Sequence, residues 1–285
     1  MIIEKDKTYL VTGATGFLGE NLVEKILFDG GNVRAFSRNE GKLIELKQNF
    51  PQIEIFTGDV SDKFEVKQAM KDVAAVFHLA ASKHVGLAET YSRECTKTNV
   101  IGSLNILELS LEQDLDFIIG ISTDKAAQVS GVYGATKLLM ERLFLQFERL
   151  NRNTKYRIVR YGNVLYSTGS VLCKWRELLR HGKQVIVTDP EATRFFWTRQ
   201  QAVDLIFSCL QESKDSSPWV PSMKSMKIGD LLDAMSIKYL PENESLDVKV
   251  IGLQAGENLH EKILEEGPAS NEVESFSIEE IMELI

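Results

Sequence analysis

Thr8-Tyr-Leu-Val-Thr12-Gly13-Ala-Thr15-Gly16-Phe17-Leu18-Gly19 is the stretch whose reading decides the fold. Its first five residues read as a buried strand. Glycines then recur at Gly-x-x-Gly-x-x-Gly spacing, and residues 17–29 repeat apolar side chains at helical intervals before closing on Gly30-Gly31. Strand, glycine loop and helix in that order suit a dinucleotide. The glycines permit a tight turn and close backbone approach, and the helix N-terminus offers amides and a positive dipole end to a pyrophosphate. Thr12, Gly13, Thr15, Gly16, Phe17, Leu18 and Gly19 are the first candidate cofactor contacts.

Outward from this unit, short apolar runs alternate with amphipathic ones. Strands are predicted at 33–36, 53–56, 75–79, 117–121 and 157–161. Helices are predicted near 41–50, at 61–71 with Ser61 as its cap, at 94–111 and at 132–150. Such β–α alternation implies an α/β fold, a Rossmann-type doubly wound parallel sheet with helices on both faces. After Gly162 the rhythm breaks into short strands, helices and polar loops. Residues 1–162 therefore read as the dinucleotide-binding domain, and 163–285 as a smaller C-terminal lobe, mainly substrate-binding and interleaved with the first.

Composition narrows the function. A net charge of -8 argues against nucleic acid or an acidic membrane surface as partner. Cys95, Cys173 and Cys209 show no Cys-x-x-Cys spacing and read as reduced, structural thiols. No metal-ligand pattern stands out. Neither a signal-like opening nor an 18-residue apolar window is evident, so a soluble, cytoplasmic protein is expected.

The second predicted strand ends in Ser37-Arg38, where an NAD site usually carries an acid. Serine and arginine suit a 2′-phosphate, so NADP is expected in preference to NAD. Asp59, beside Val60, either reaches the adenine or caps a helix. Leu79-Ala80-Ala81 supplies small residues where a nicotinamide ribose passes. Lys83 and Asn99 complete the candidate cofactor set.

Ser122-Thr123-Asp124-Lys125-Ala-Ala and Tyr133-Gly-Ala-Thr-Lys137 carry the chemistry. Tyr133 and Lys137 share a helical face at four-residue spacing, where the ammonium is expected to lower the phenol from its usual value near 10. Asp124 and Lys125, at the end of a buried strand, are placed to point into one cleft as an acid and a base.

Together these residues resemble the extended short-chain dehydrogenase/reductases. That resemblance makes Tyr133 the acid/base of hydride transfer, Lys137 the ribose ligand and Thr123, with Ser122 beside it, the hydroxyl that aligns substrate. Further stretches, Ala80-Ala-Ser-Lys83-His84-Val, Arg160-Tyr-Gly-Asn163-Val, Gly169-Ser-Val, Thr188-Asp-Pro, Thr193-Arg194-Phe and Gly256-Glu257-Asn-Leu-His-Glu, resemble bacterial UDP-N-acetylglucosamine 4,6-dehydratases of the inverting, pseudaminic acid type.

The resemblance implies an internal redox cycle on a UDP-amino sugar, with Tyr133 taking the 4-hydroxyl proton, Lys125 the carbon-5 proton, and Asp124 protonating the departing 6-hydroxyl. It implies Lys83, His84, Asn163, Arg194 and Glu257 as substrate contacts, Arg194 for the diphosphate, and a homo-oligomer, dimer or hexamer. Relatives dividing the cycle through a 5,6-ene sugar leave a partial reaction as the alternative. A non-catalytic NADP-binding sensor would lack Tyr133 or Lys137, and both are present. Two departures from the family pattern, Gln128-Val-Ser-Gly131 and Tyr166-Ser-Thr168, are expected to alter the pocket.

Overall fold

The computed structural model describes residues 2–254 and 256–285. Seven strands form the main sheet: β1 (Thr8–Thr12), β2 (Asn32–Ser37), β3 (Glu54–Thr57), β4 (Ala75–His78), β5 (Phe117–Thr123), β6 (Lys155–Tyr161) and β10 (Pro218–Trp219). Their order is β10-β6-β5-β4-β1-β2-β3, and every pairing is parallel. This is the doubly wound arrangement, with its switch point between the C-terminal ends of β1 and β4, where such sheets leave a crevice. The sheet is buried on both faces, which is why β1, β4 and β5 read as continuous apolar runs.

On one face lie α1 (Phe17–Phe28), α2 (Glu40–Asn49) and α9 (Arg199–Glu212), whose Leu22, Leu43 and Ile206 join the core around Tyr9 and Phe77. On the other lie α3 (Lys63–Met70), α6 (Gly102–Ser110) and α7 (Val132–Leu150), packed around Ile118, Ile158 and Phe144. The cap of α3 is Asp62, not Ser61: its carboxylate accepts the Phe64 and Glu65 amides, two of the orphan donors of the first turn.

The helix predicted at 94–111 is interrupted. Before it stands α4 (Val85–Thr90), then α5 (Ser92–Thr96), a π-helical turn (Lys97–Ile101) and α6. The wider turn lets the Asn99 side chain reach Ser82 and Thr136.

Beyond β6 the chain builds a second unit. β7 (Asn163–Val164), β9 (Thr193–Trp197) and β11 (Ser225–Lys227) form one small sheet, and β8 (Val185–Val187) pairs with β12 (Val248–Val250) in another. α8 (Val171–Arg180), α10 (Ile228–Tyr239) and α11 (Ile278–Leu284) bury Trp175, Leu231 and Ile281 in a core of their own. Between these elements the chain returns to the first unit, because α9 packs on the main sheet and β10 extends its edge.

Candidate active site

A cleft of about 800 Å³ runs from the glycine loop to the second unit. At its glycine-loop end Gly13 adopts φ +71°, and a Cβ there would stand 2.8 Å from the Ala80 amide, so only glycine lets the loop lie against the end of β4. Helix α1 starts at Gly16 with no side-chain cap, leaving its first-turn amides for an anion. Ser37 and Arg38 line this end, with Thr15 Oγ1 2.8 Å from Ser37 Oγ. Arg38 is exposed and only loosely paired with Asp59, at 3.8 Å, so its guanidinium is free to meet a phosphate. Phe17, Leu18, Gly19, Val60, Leu79, Ala80 and Ala81 also line the cleft.

Three expected cofactor residues, Asp59, Thr12 and Asn99, are not part of that lining. Asp59 folds onto the Ser61 amide in a turn. Thr12 and Asn99 are buried members of a hydrogen-bond chain whose proton positions follow from one another. Ser103 donates to the Asn99 carbonyl at 2.7 Å, so it accepts from His78 Nε2 at 2.9 Å; His78 Nδ1 is then the acceptor for Thr12, at 2.8 Å, and Thr12 accepts the Ala80 amide. His78 is neutral: burial, with the nearby Lys137 charge, pushes it down to about 3. The Asn99 side chain meanwhile clamps Ser82 on both sides and donates to Thr136 Oγ1, which donates to the Tyr133 carbonyl.

At the centre, β5 delivers Thr123 and a 3₁₀ turn (Asp124–Ala126) carries Asp124 and Lys125 against α7. Gly134 makes that approach possible, since a Cβ there would lie 2.2 Å from the Lys125 carbonyl. Glu89 of α4 accepts the Val132 amide at 2.6 Å and caps α7. Tyr133, Lys137, Thr123, Asp124 and Lys125 all line the cleft.

The expected effect of Lys137 on Tyr133 is not found. Lys137 Nζ donates to the Ile121 carbonyl at 2.7 Å, and burial lowers it to about 8. Burial also lifts Tyr133 to about 12, against the opposing pull of the Thr123 hydroxyl bonded to it and of the Lys125 charge. Thr123, not Ser122, is the hydroxyl at the tyrosine. Ser122 donates to Glu141 at 2.5 Å, inside a buried bidentate Arg160–Glu141 pair.

Lys125 Nζ sits 3.1 Å from Asp124 Oδ1 and 3.4 Å from Glu261 Oε1, and Arg194 Nε lies 3.7 Å from the same Glu261 oxygen. Burial works against the Lys125 ammonium, but the two carboxylates outweigh it and raise it to about 12. Among the described residues, Asp124 Oδ2 and both Glu261 oxygens are buried without a hydrogen bond.

Glu261 was missed in the sequence. Of the two acids in Gly256-Glu257-Asn-Leu-His-Glu261, the sequence points to Glu257, which lines the cleft, while Glu261 is buried beside Lys125 and Arg194.

Around the substrate end, Lys83 donates to the Thr168 carbonyl at 3.3 Å, and His84 and Asn163 also line the cleft. Of the departure Tyr166-Ser-Thr168, Ser167 and Thr168 line the cleft and Tyr166 does not. At φ +55° its ring turns toward α10, where its hydroxyl meets that of Tyr239 at 2.9 Å. In the other departure from the pattern, Ser130 ties to the Gly256 carbonyl.

Residues 9–283 match the family described as polysaccharide biosynthesis protein. The chain belongs to this family. Within it, the chain is an extended short-chain dehydrogenase/reductase enzyme of the dehydratase and epimerase group. The chain is 36% identical over 262 residues, 90% of its length and 76% of the relative's, to the inverting UDP-N-acetylglucosamine 4,6-dehydratase of Campylobacter jejuni serotype O:2. It is 38% identical over 289 residues, 98% of its length and 85% of the relative's, to an uncharacterized membrane protein of Methanocaldococcus jannaschii. Among the described residues it has no helix long and apolar enough to cross a membrane. Among solved structures, Pen from Bacillus thuringiensis superimposes with a TM-score of 0.92 at 28% identity, over 98% of this chain and 97% of that one.

Proposed function

We propose that this family member is a sugar-nucleotide dehydratase that converts UDP-N-acetylglucosamine, or a 5,6-ene derived from it, into a 4-keto-6-deoxy UDP-amino sugar for cell-surface or flagellar glycan. The observation that carries the reading is the buried Asp124–Lys125 pair in the same cleft as Tyr133. Oxidising an alcohol needs the tyrosine and lysine alone. A second acid and base beside them are what an elimination requires.

The chain's residues divide the work accordingly. A nicotinamide dinucleotide, NADP in preference to NAD because Ser37 and Arg38 replace the usual acid, would take up the carbon-4 hydride and return it to carbon 6 when bound. Thr123 aligns the sugar's 4-hydroxyl and Tyr133 takes its proton. The resulting 4-ketone acidifies carbon 5, whose proton passes to the Lys125 amine, while Asp124 protonates the departing 6-hydroxyl. At 3.1 Å, one proton moving from Lys125 to Asp124 prepares both groups at once. Lys137 holds the cofactor ribose. Arg194 has Nη1 committed to the Thr193 and Leu259 carbonyls, which orients its guanidinium for a diphosphate.

Incubation of the purified protein with UDP-N-acetylglucosamine, followed by NMR, tests the reading. A 4-keto-6-deoxy product is expected. Turnover of the 5,6-ene alone would assign a partial reaction, and an unchanged spectrum with both sugars would refute the proposal.

A further inference from the structure

Glu261 has no evident reason to be where it is. Its side chain is 1% exposed, lines no part of the cleft and carries two carboxylate oxygens without a hydrogen bond. Buried carboxylates left in that condition are costly and concentrate at functional sites. Nor can the segment easily relax. The Glu261 amide donates to Ser270 Oγ at 2.9 Å, the Ser270 amide donates back to the Glu261 carbonyl at 2.8 Å, and Arg160 Nη1 holds the Ile263 carbonyl at 2.9 Å. The backbone presents the carboxylate to Lys125 Nζ at 3.4 Å and Arg194 Nε at 3.7 Å.

The charged and titratable groups around it come from three elements. Lys125 and Asp124 lie on the 3₁₀ turn, Arg194 on β9, and Tyr133 of α7 is reached through Lys125. Its chain neighbour His260 is engaged by Thr193 Oγ1 at 2.9 Å. Lys125 thus stands between two carboxylates. One of them, Asp124, faces the cleft; the other, Glu261, is buried outside its lining.

We infer that Glu261 is a positioning residue that holds Lys125 as an ammonium in the resting enzyme, so that the amine base and the acid of Asp124 arise only together. In that step the proton leaves Lys125 Nζ and bonds to an Asp124 oxygen; nothing is oxidised and no third reactant is needed. Burial pushes the Glu261 carboxyl up while the Lys125 and Arg194 charges favour its ionised form; ionised, it opposes a free amine on Lys125 until Asp124 takes the proton. The inference rests on the assignment of Lys125 as the carbon-5 base.

Its test reads Lys125 directly. Protein labelled with ¹³C at lysine Cε is titrated by NMR as wild type, Glu261→Gln and Glu261→Asp, the Lys125 signal being the one absent from Lys125→Ala. An opposite charge at this range shifts a pKa by about 1–3 units. Glu261→Gln is therefore expected to lower the Lys125 midpoint by at least about one unit, a tenfold rise in neutral amine, with Glu261→Asp in between.

The second readout is pH-dependent deuterium exchange at carbon 5 of the 4-keto-6-deoxy UDP-amino sugar in D2O, which needs no hydride transfer. Its alkaline plateau is expected to move to lower pH by the same amount in Glu261→Gln. A midpoint and plateau unmoved in Glu261→Gln, or a fall in Glu261→Asp as large as in Glu261→Gln, would overturn the role of Glu261 alone. Undiminished exchange in Lys125→Ala would remove the base assignment and the arming role with it.

Discussion

On the glycine-loop side of the cleft, Thr12, His78, Ser103 and Asn99 are buried, neutral and each hydrogen-bonded, in a chain whose proton directions are fixed. On the side of the catalytic candidates, Asp124, Arg194 and Glu261 are buried, Lys125 is part-buried between them, and among the described residues three of their carboxylate oxygens have no hydrogen bond. The first arrangement suits a surface that must keep one shape while a large cofactor rests on it. The second suits a pair, Asp124 and Lys125, that must exchange a proton under the charges of Arg194 and Glu261, since a fully satisfied carboxylate holds its charge too firmly to act as an acid.

The contrast is broken most severely at Lys125. Lys125→Ala is expected to reduce deuterium exchange at carbon 5 by about 10²–10⁴-fold, the usual worth of a general base, and to leave cofactor affinity unchanged in a direct binding titration. Loss of both would mean that the two sides are not separable.

Glu141 lies beneath both walls, joined to Ser122 and Arg160. Glu141→Gln strips the charge from a pair whose side chains are each only 4% exposed, and is expected to destabilise the fold by about 3–5 kcal/mol, measured by urea unfolding. A smaller loss, within about 1 kcal/mol, would show that Arg160 finds another partner.

A third test probes the neutral wall. His78, held near 3 in the native state, is refused a proton that the unfolded chain accepts below about 6.5. Its contribution is therefore complete above about pH 6.5 and is lost as pH falls toward 3, at about 1.4 kcal/mol per unit. Glutamine offers a donor and an acceptor without titrating. His78→Gln should flatten the acid limb of the stability curve by one proton, and an unchanged slope would mean that His78 is charged in the fold.

The smallest effect is expected at the exposed Arg38, where Arg38→Ala should reduce the NADP-over-NAD preference about tenfold while sparing NAD affinity. Equal loss for both cofactors would place Arg38 outside the 2′-phosphate site.

How much of this was legible in the sequence differs by region. β1 and α7 were read to the residue, because a buried run and a 19-residue amphipathic period each leave a local signal. The helix predicted at 94–111 was not, because tertiary contacts of Asn99 impose a π turn that no periodicity announces. β10 has two residues, too few to carry a pattern. Cleft-lining candidates on strand ends and the glycine loop were found from spacing. Thr12 and Asn99 are buried behind the cleft lining, which spacing alone does not reveal, and Glu261 escapes notice because a loop has no repeat to say which acid turns inward.

The internal redox cycle joins the two sides, and one isotope experiment tests it most directly. UDP-N-acetylglucosamine carrying deuterium at carbon 4 is supplied in ordinary water, and the product is examined by NMR and mass spectrometry. The account predicts deuterium at carbon 6 of a 4-keto-6-deoxy sugar, with a solvent hydrogen at carbon 5. Deuterium lost to solvent, or a carbon-6 hydrogen drawn from water, would contradict it.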